Sequence, residues 1–114
     1  MKFKVAFQGI LYALKHETHM KIHALAAIAV IALATYFSVS SLEWIVLLIC
    51  IGAVLSAEIF NSALEKLCDT LHPERAEGIK HVKDMAAGAV LVVAILSAVI
   101  ALIVFVPYFR TLVQ

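Results

Sequence analysis

The chain has 114 residues, of which 64% are hydrophobic and 15% charged, and its formal net charge is +1. That length suits one domain, and so high a hydrophobic fraction lies outside the usual range of soluble proteins. The near-neutral charge and the lack of an interleaved aromatic and basic patch argue against a nucleic-acid partner. We therefore expect a small all-α membrane protein with a single domain over residues 1–114.

The N-terminal segment, at about residues 2–18, predicts an amphipathic helix that lies in the membrane interface. A cytosolic helix packed on the rest of the protein is the alternative. The apolar residues of the segment recur at helical spacing, and its lysines fall largely on another face. These apolar residues are Phe3, Phe7, Ile10, Leu11 and Leu14.

Three longer segments, at about residues 22–42, 44–70 and 84–108, predict membrane-spanning helices. Each contains an apolar run long enough to cross, or nearly cross, a hydrocarbon core of about 30 Å. Runs of this length must satisfy their own backbone hydrogen bonds in lipid, which favours α-helices. With the surface helix they predict a small bundle, and their small residues favour oligomerisation.

Turn signals set the expected ends of these spans. A loop over residues 38–43 should precede the second span, with Trp44 as an interfacial anchor. The second helix should run on to Pro73 and project beyond the lipid. A polar connector is expected over residues 72–84, and Pro107 should close the third span.

The positions of lysine and arginine predict the orientation. Four of these residues precede residue 22, four lie between Lys66 and Lys83, and only Arg110 lies elsewhere. Positive charge is enriched in short cytoplasmic segments of membrane proteins. The N-terminus and the connector are therefore expected to be cytosolic.

Four polar side chains interrupt the apolar pattern near the end of the second span, and we call them the acidic stripe. They are Glu58, Asn61, Glu65 and Asp69. At about 100° per residue, all four fall within an arc of about 80° on one helix face. Counting about 20 residues across the lipid puts Glu58 just inside the hydrocarbon and the last two carboxylates outside it.

An ionisable side chain in a span costs about 2.5–3.5 kcal/mol on insertion scales, so a functional role is the default hypothesis. The alternative is that Glu58 only holds the helices together through a hydrogen bond.

The depth of the stripe would let a lipid hydroxyl meet Glu58 while a charged, water-soluble partner meets the outer carboxylates. Several acidic oxygens, with Lys83 and Asp84 at the start of the next span, suit Mg²⁺ and a nucleotide. Glu17 could supply another ligand.

The glycine spacing excludes a P-loop, so any nucleotide site must be built from helix faces. A metal site built from the five histidines is not expected, because most of them lie where contact with a headgroup or phosphate explains them.

These residues resemble a known family, the small prokaryotic membrane diacylglycerol kinases, which include undecaprenol kinases. The resemblance rests on a Glu, two variable positions, Asn, Ser, a small and an apolar residue, Glu, and Asp four residues later, which matches the sequence from Glu58 to Asp69. Glu17 and the Lys83, Asp84, Met85 segment agree as well. The likeness covers nearly the whole chain.

The resemblance implies a homotrimeric lipid kinase of the bacterial inner membrane, with active sites shared between subunits. Such an enzyme moves the γ-phosphate of ATP to the hydroxyl of undecaprenol or diacylglycerol, with Mg²⁺. The implied roles are Glu58 as general base assisted by Asn61, Glu17 and Glu65 as Mg²⁺ ligands, and Asp69, Lys83 and Asp84 as nucleotide contacts.

A function of a different class stays open from the residues alone. In a small channel or transporter, Glu58 would line a path for protons or divalent cations, because acids within spans also mark such paths. An assembly subunit without ATP binding is a third possibility.

Overall fold

The computed structural model describes residues 2–74 and 76–114, and within these ranges the chain forms four α-helices. The predicted all-α fold is confirmed. The helices are α1 (Lys2–His16), α2 (Thr18–Phe37), α3 (Ser41–Leu71) and α4 (Glu77–Val113).

The outer surface of the bundle is apolar. Within the described ranges, three helices, α2, α3 and α4, are long and apolar enough to cross a membrane. Large aliphatic side chains point outward along them, such as Val92 and Ile103, which are 68% and 69% exposed. A continuous surface of this kind marks contact with lipid. The predicted number of spanning helices is confirmed.

A single residue separates α1 from α2. Glu17 has an extended backbone (φ −105°, ψ 118°) and occupies the N-cap of α2, so α1 ends at His16 and not at residue 18 as predicted. The end of α1 packs on α3, where Ala13 is buried and the Lys66 ammonium lies 5.0 Å from the centre of the Tyr12 ring. A cation above an aromatic face is stabilised by the ring quadrupole.

The turn between α2 and α3 is shorter than predicted. Its first residue, Ser38, adopts the left-handed conformation (φ 50°, ψ 52°) and ends α2. Ser40 and Glu43 then form a reciprocal capping box, in which each side chain accepts a hydrogen bond from the backbone N–H of the other. This box satisfies the free amides of the first helical turn, so α3 begins within the segment predicted as a loop.

The predicted connector over residues 72–84 is also wrong in extent. Leu71 ends α3 just before Pro73, as expected, but α4 begins at Glu77. Two pairs one helical turn apart stabilise its polar start, Lys80 with Asp84 and His81 with Glu77. Pairs of this spacing favour a helix. Most of the expected connector is therefore the first two turns of α4.

Pro107 does not close α4, contrary to the prediction, and the helix continues to Val113. A proline removes one backbone hydrogen bond but fixes φ near the helical value. Packing holds the turns around it, because Phe105, Tyr108 and Phe109 all contact the ring of Phe37. These ring contacts outweigh the lost hydrogen bond.

The buried core lies at the end of the bundle where α2 turns into α3. Its buried members are Ala34, Val39, Leu47, Val104 and Phe105. The Tyr108 hydroxyl donates a hydrogen bond to Glu43, which ties the end of α4 to the start of α3. Glu58 lies roughly 22 Å farther along α3, so the polar residues stand at the opposite end from this core.

Candidate active site

Burial changes steadily along the acidic stripe. Glu58 and Asn61 are buried, at 3% and 8% exposure. Glu65 is half-buried and Asp69 is exposed. All four positions belong to α3, so a single rigid helix carries the stripe from the interior of the bundle to its surface.

Asn61 and Glu65 form a hydrogen-bonded pair one turn apart. The Asn61 amide nitrogen Nδ2 donates to Glu65 Oε1 at 3.1 Å. A carboxylate only accepts when ionised, so this bond fixes which end of the amide faces Glu65. The other end, Asn61 Oδ1, is buried and finds no hydrogen-bond partner among residues 2–74 and 76–114. A buried acceptor left unpaired is costly, which marks this oxygen as a contact point for a ligand.

Glu58 meets a side chain from α2. His23 Nε2 lies 3.6 Å from Glu58 Oε2, and the two side chains are 21% and 5% exposed. The sequence analysis did not pair these residues. The sequence did contain a signal for this pairing. His23 lies five residues after the start of α2, and Glu58 lies a similar number of residues before the point where α3 is predicted to leave the lipid. Because α2 and α3 run antiparallel, the two residues lie at the same depth from the same end of the bundle.

An apolar cleft of about 200 Å³ begins at His23 and runs between α2, α3 and α4. Alanines and branched aliphatic residues make most of its wall, and its polar members among the described residues are His23, Cys50 and Ser97. The end of the cleft at His23 therefore adjoins Glu58, and the largely apolar wall of the rest suits a hydrocarbon chain.

The outer end of the stripe faces the hairpin between α3 and α4. Lys83 donates a hydrogen bond to Asp69, and it is also attracted by the Glu65 carboxylate. A second cavity of about 240 Å³ opens beside this pair, with His72 and Lys80 in its wall. Ammonium groups beside carboxylates suit a phosphate group with its bound cation.

The remaining two predicted site residues lie at the edge of the candidate active site. Asp84 is exposed and accepts a hydrogen bond from Lys80 at 2.8 Å, so within the described chain it is directed along its own helix and not toward the stripe. Glu17 is half-buried at the break between α1 and α2, and its charge acts on Lys66, the neighbour of Glu65.

The oxygen ligands of the stripe fit Mg²⁺ in kind. Residues 2–74 and 76–114 contain no group of three His, Cys, Asp or Glu side chains that could hold a metal by themselves. Magnesium commonly binds one or two carboxylates and completes its shell with phosphate oxygens and water. Glu65, with the unpartnered Asn61 Oδ1 beside it, offers that smaller donor set.

A buried carboxylate at the end of an apolar cleft, joined by one helix face to a lysine-bearing hairpin, suits a membrane-embedded phosphotransferase that acts on a lipid. The comparisons with known proteins agree. The family described as Prokaryotic diacylglycerol kinase matches residues 4–105. The chain belongs to this family and is a lipid kinase.

Several named relatives cover most of the chain. The Undecaprenol kinase of Bacillus subtilis (strain 168) is 35% identical over 105 residues, which are 92% of this chain and 85% of that protein. The Diacylglycerol kinase of Synechocystis sp. is 33% identical over 101 residues, 88% of this chain and 58% of its own length. The Diacylglycerol kinase of Escherichia coli (strain K12) is 30% identical over 95 residues, 83% and 77% of the two chains. The kinase prediction is confirmed over the channel alternative.

Proposed function

We propose that this lipid kinase transfers the γ-phosphate of Mg²⁺-bound ATP to the hydroxyl of undecaprenol, with Glu58 as general base. One observation carries the proposal. Glu58 is buried where the apolar cleft ends at His23 and where the acidic stripe begins. A hydrocarbon chain in the cleft would bring its terminal alcohol to this carboxylate, and a nucleotide at the hairpin would approach the same point along α3.

The nucleotide end is assigned to Asp69, Lys83 and Asp84. Lys83 already bridges α3 and α4, so its ammonium group would meet phosphate oxygens without a large movement. Glu65 and Glu17 would hold the magnesium ion. When bound, the ion neutralises phosphate charge that would otherwise repel the attacking oxygen.

The chemical step at Glu58 is a proton transfer coupled to phosphoryl transfer. The lipid hydroxyl gives its proton to a Glu58 carboxylate oxygen, and its oxygen forms a bond to the γ-phosphorus. The bond from that phosphorus to the β,γ-bridging oxygen breaks, its electron pair stays on that oxygen, and ADP leaves. Asn61 is one turn from Glu58 and would hold the acceptor oxygen or Glu65 in line.

The choice between the two lipid alcohols rests on the cleft wall. Diacylglycerol carries two ester groups close to its hydroxyl, and buried carbonyls need hydrogen-bond donors. Below His23, the described polar members of the wall are a thiol and one serine hydroxyl. A polyprenol has no polar group beside its hydroxyl, so it matches this wall better. The relative named Undecaprenol kinase points the same way.

The working form is assigned as a homotrimer in the bacterial inner membrane, with the N-terminus and the α3–α4 hairpin cytosolic. Small residues on α3 and α4 support close contact between copies. A Cβ built on Gly52 or Gly88 meets no atom of the described chain within 4 Å, so both backbones are open to a neighbouring helix. The charge distribution supports the orientation.

The test is a direct assay of the purified protein in detergent. Radiolabelled ATP is offered with undecaprenol and diacylglycerol in parallel reactions, with Mg²⁺ or with excess EDTA, and the lipid products are separated. We expect label in the undecaprenol product, a smaller rate with diacylglycerol, and loss of both with EDTA. Equal or faster labelling of diacylglycerol would contradict the assigned acceptor, and full activity in EDTA would contradict the magnesium site.

A further inference from the structure

The contact between His23 and Glu58 has no catalytic role in the assignments above. Among the ion pairs of the described residues, it is the one that joins α2 to the buried end of the acidic stripe. The His23 ring lies between Glu58 and the apolar cleft. One edge of its ring meets Glu58 Oε2, and its ring also forms the end of the apolar cleft. An alcohol at this end of the cleft would therefore lie beside both the ring and Glu58.

The carboxylate needs such a neighbour. Glu58 is 3% exposed, so bulk water has little access to this carboxylate. A carboxylate side chain has two equivalent oxygens and rotates about its last bond, and a general base works only when one oxygen points at the proton that it accepts. An imidazole N–H is a donor that can hold one oxygen and leave the other free.

We propose that His23 is a positioning residue for Glu58, whose ring N–H holds Oε2 so that Oε1 receives the proton of the acceptor alcohol. At 3.6 Å the contact is longer than a hydrogen bond, and contacts of this kind commonly shorten when substrate is bound. His23 itself neither gains nor loses a proton in this step. The inference rests on the proposed role of Glu58 as base.

Two variants separate positioning from packing. His23→Leu keeps the bulk of the side chain and removes the donor, while His23→Gln keeps a donor nitrogen at a similar distance from the backbone. Tyr36→Leu is the matched control, because Tyr36 is also an aromatic residue with a polar group on α2 but lies at the other end of that helix and is 70% exposed. Each variant is purified and checked for the same helix content and oligomer size as wild type.

The measurement is kcat and the KM for ATP, with saturating undecaprenol. We expect His23→Leu to lower kcat at least about tenfold with an unchanged KM for ATP, because a misdirected base slows the chemical step and not nucleotide binding. His23→Gln should recover most of kcat, and Tyr36→Leu should match wild type. A wild-type kcat in His23→Leu, or a His23→Gln variant as slow as His23→Leu, would overturn the inference.

Failure of the proposed function would look different. If wild type itself labels no lipid, or if Glu58→Gln is as active as wild type, the base assignment fails and the positioning role fails with it. If Glu58→Gln is inactive while His23→Leu is fully active, only the role of His23 is wrong.

Discussion

Asn61 is buried, and only one end of its amide is hydrogen-bonded among the described residues. Its Nδ2 holds Glu65, while its Oδ1 is buried without a partner among residues 2–74 and 76–114. Stability alone does not explain this arrangement, because an unpaired buried oxygen is unfavourable. The arrangement is explained if a ligand completes it.

Asn61→Leu should therefore separate stability from activity. Leucine is close in volume, removes the unpaired oxygen and cannot hold Glu65, so we expect unchanged or higher thermal stability with kcat lowered about 100-fold. The measurement pairs a thermal unfolding curve with the kinase assay. Thr70→Val, on an exposed position of the same helix, is the control and should change neither. Lower stability together with unchanged kcat would contradict the account.

Spacing along one helix could be predicted from the sequence, but contacts between helices could not. The four positions of the stripe follow from 100° per residue, and the gradient from buried Glu58 to exposed Asp69 follows the predicted depth. The contact of His23 with Glu58 depends on the register of α2 against α3, which no single helix determines. The pairing of Asp84 with Lys80 likewise depends on how early α4 begins.

At the scale of helices, the two main errors of prediction have different physical origins. The loop expected over residues 38–43 missed a local signal, because the capping box of Ser40 and Glu43 begins α3 inside that segment. The end expected at Pro107 relied on a local signal that tertiary packing overrides, because the aromatic contacts of Phe37 lie on both sides of this proline and α4 continues past it. Pro73 follows the end of α3 at Leu71 by two residues, as the sequence predicts.

The hydrogen bond from Tyr108 to Glu43 should contribute stability and not catalysis. It joins the far ends of α3 and α4, well away from Glu58. We expect Tyr108→Phe to lower the free energy of unfolding slightly, because one hydrogen bond between α3 and α4 is lost, with kcat unchanged. Tyr36→Phe is the matched control, since Tyr36 is 70% exposed. Denaturation in detergent gives the comparison, and a kcat that falls with Tyr108→Phe would contradict the separation of core and site.

At the scale of the whole molecule, a single chain does not contain a complete active site if Asp84 contacts the nucleotide. Within the described residues Asp84 lies along its own helix, directed at Lys80, while Lys83 faces Asp69. A neighbouring subunit could bring its own stripe to Asp84. The shared active site of the proposed homotrimer would supply this contact.

Mixed oligomers test that arrangement. Glu58→Gln and Asp84→Asn should each be inactive alone, but equal amounts refolded together should regain about a quarter of wild-type activity, because a quarter of the interfaces then pair two intact residues. Mixing after assembly, without subunit exchange, is the control and should give no recovery. No recovery in the co-refolded sample would place the whole site within one subunit.

The role of Glu58 can be tested most directly by removing its charge alone. Glu58→Gln preserves the size of the side chain, and Glu77→Gln, at a glutamate whose side chain is 87% exposed, is the matched control. The measurement is the rate of label transfer from ATP to undecaprenol at saturating Mg²⁺. The account predicts that Glu58→Gln lowers kcat at least about 100-fold while helix content, oligomer size and ATP binding are kept, and that Glu77→Gln equals wild type. A Glu58→Gln enzyme with wild-type kcat would contradict it.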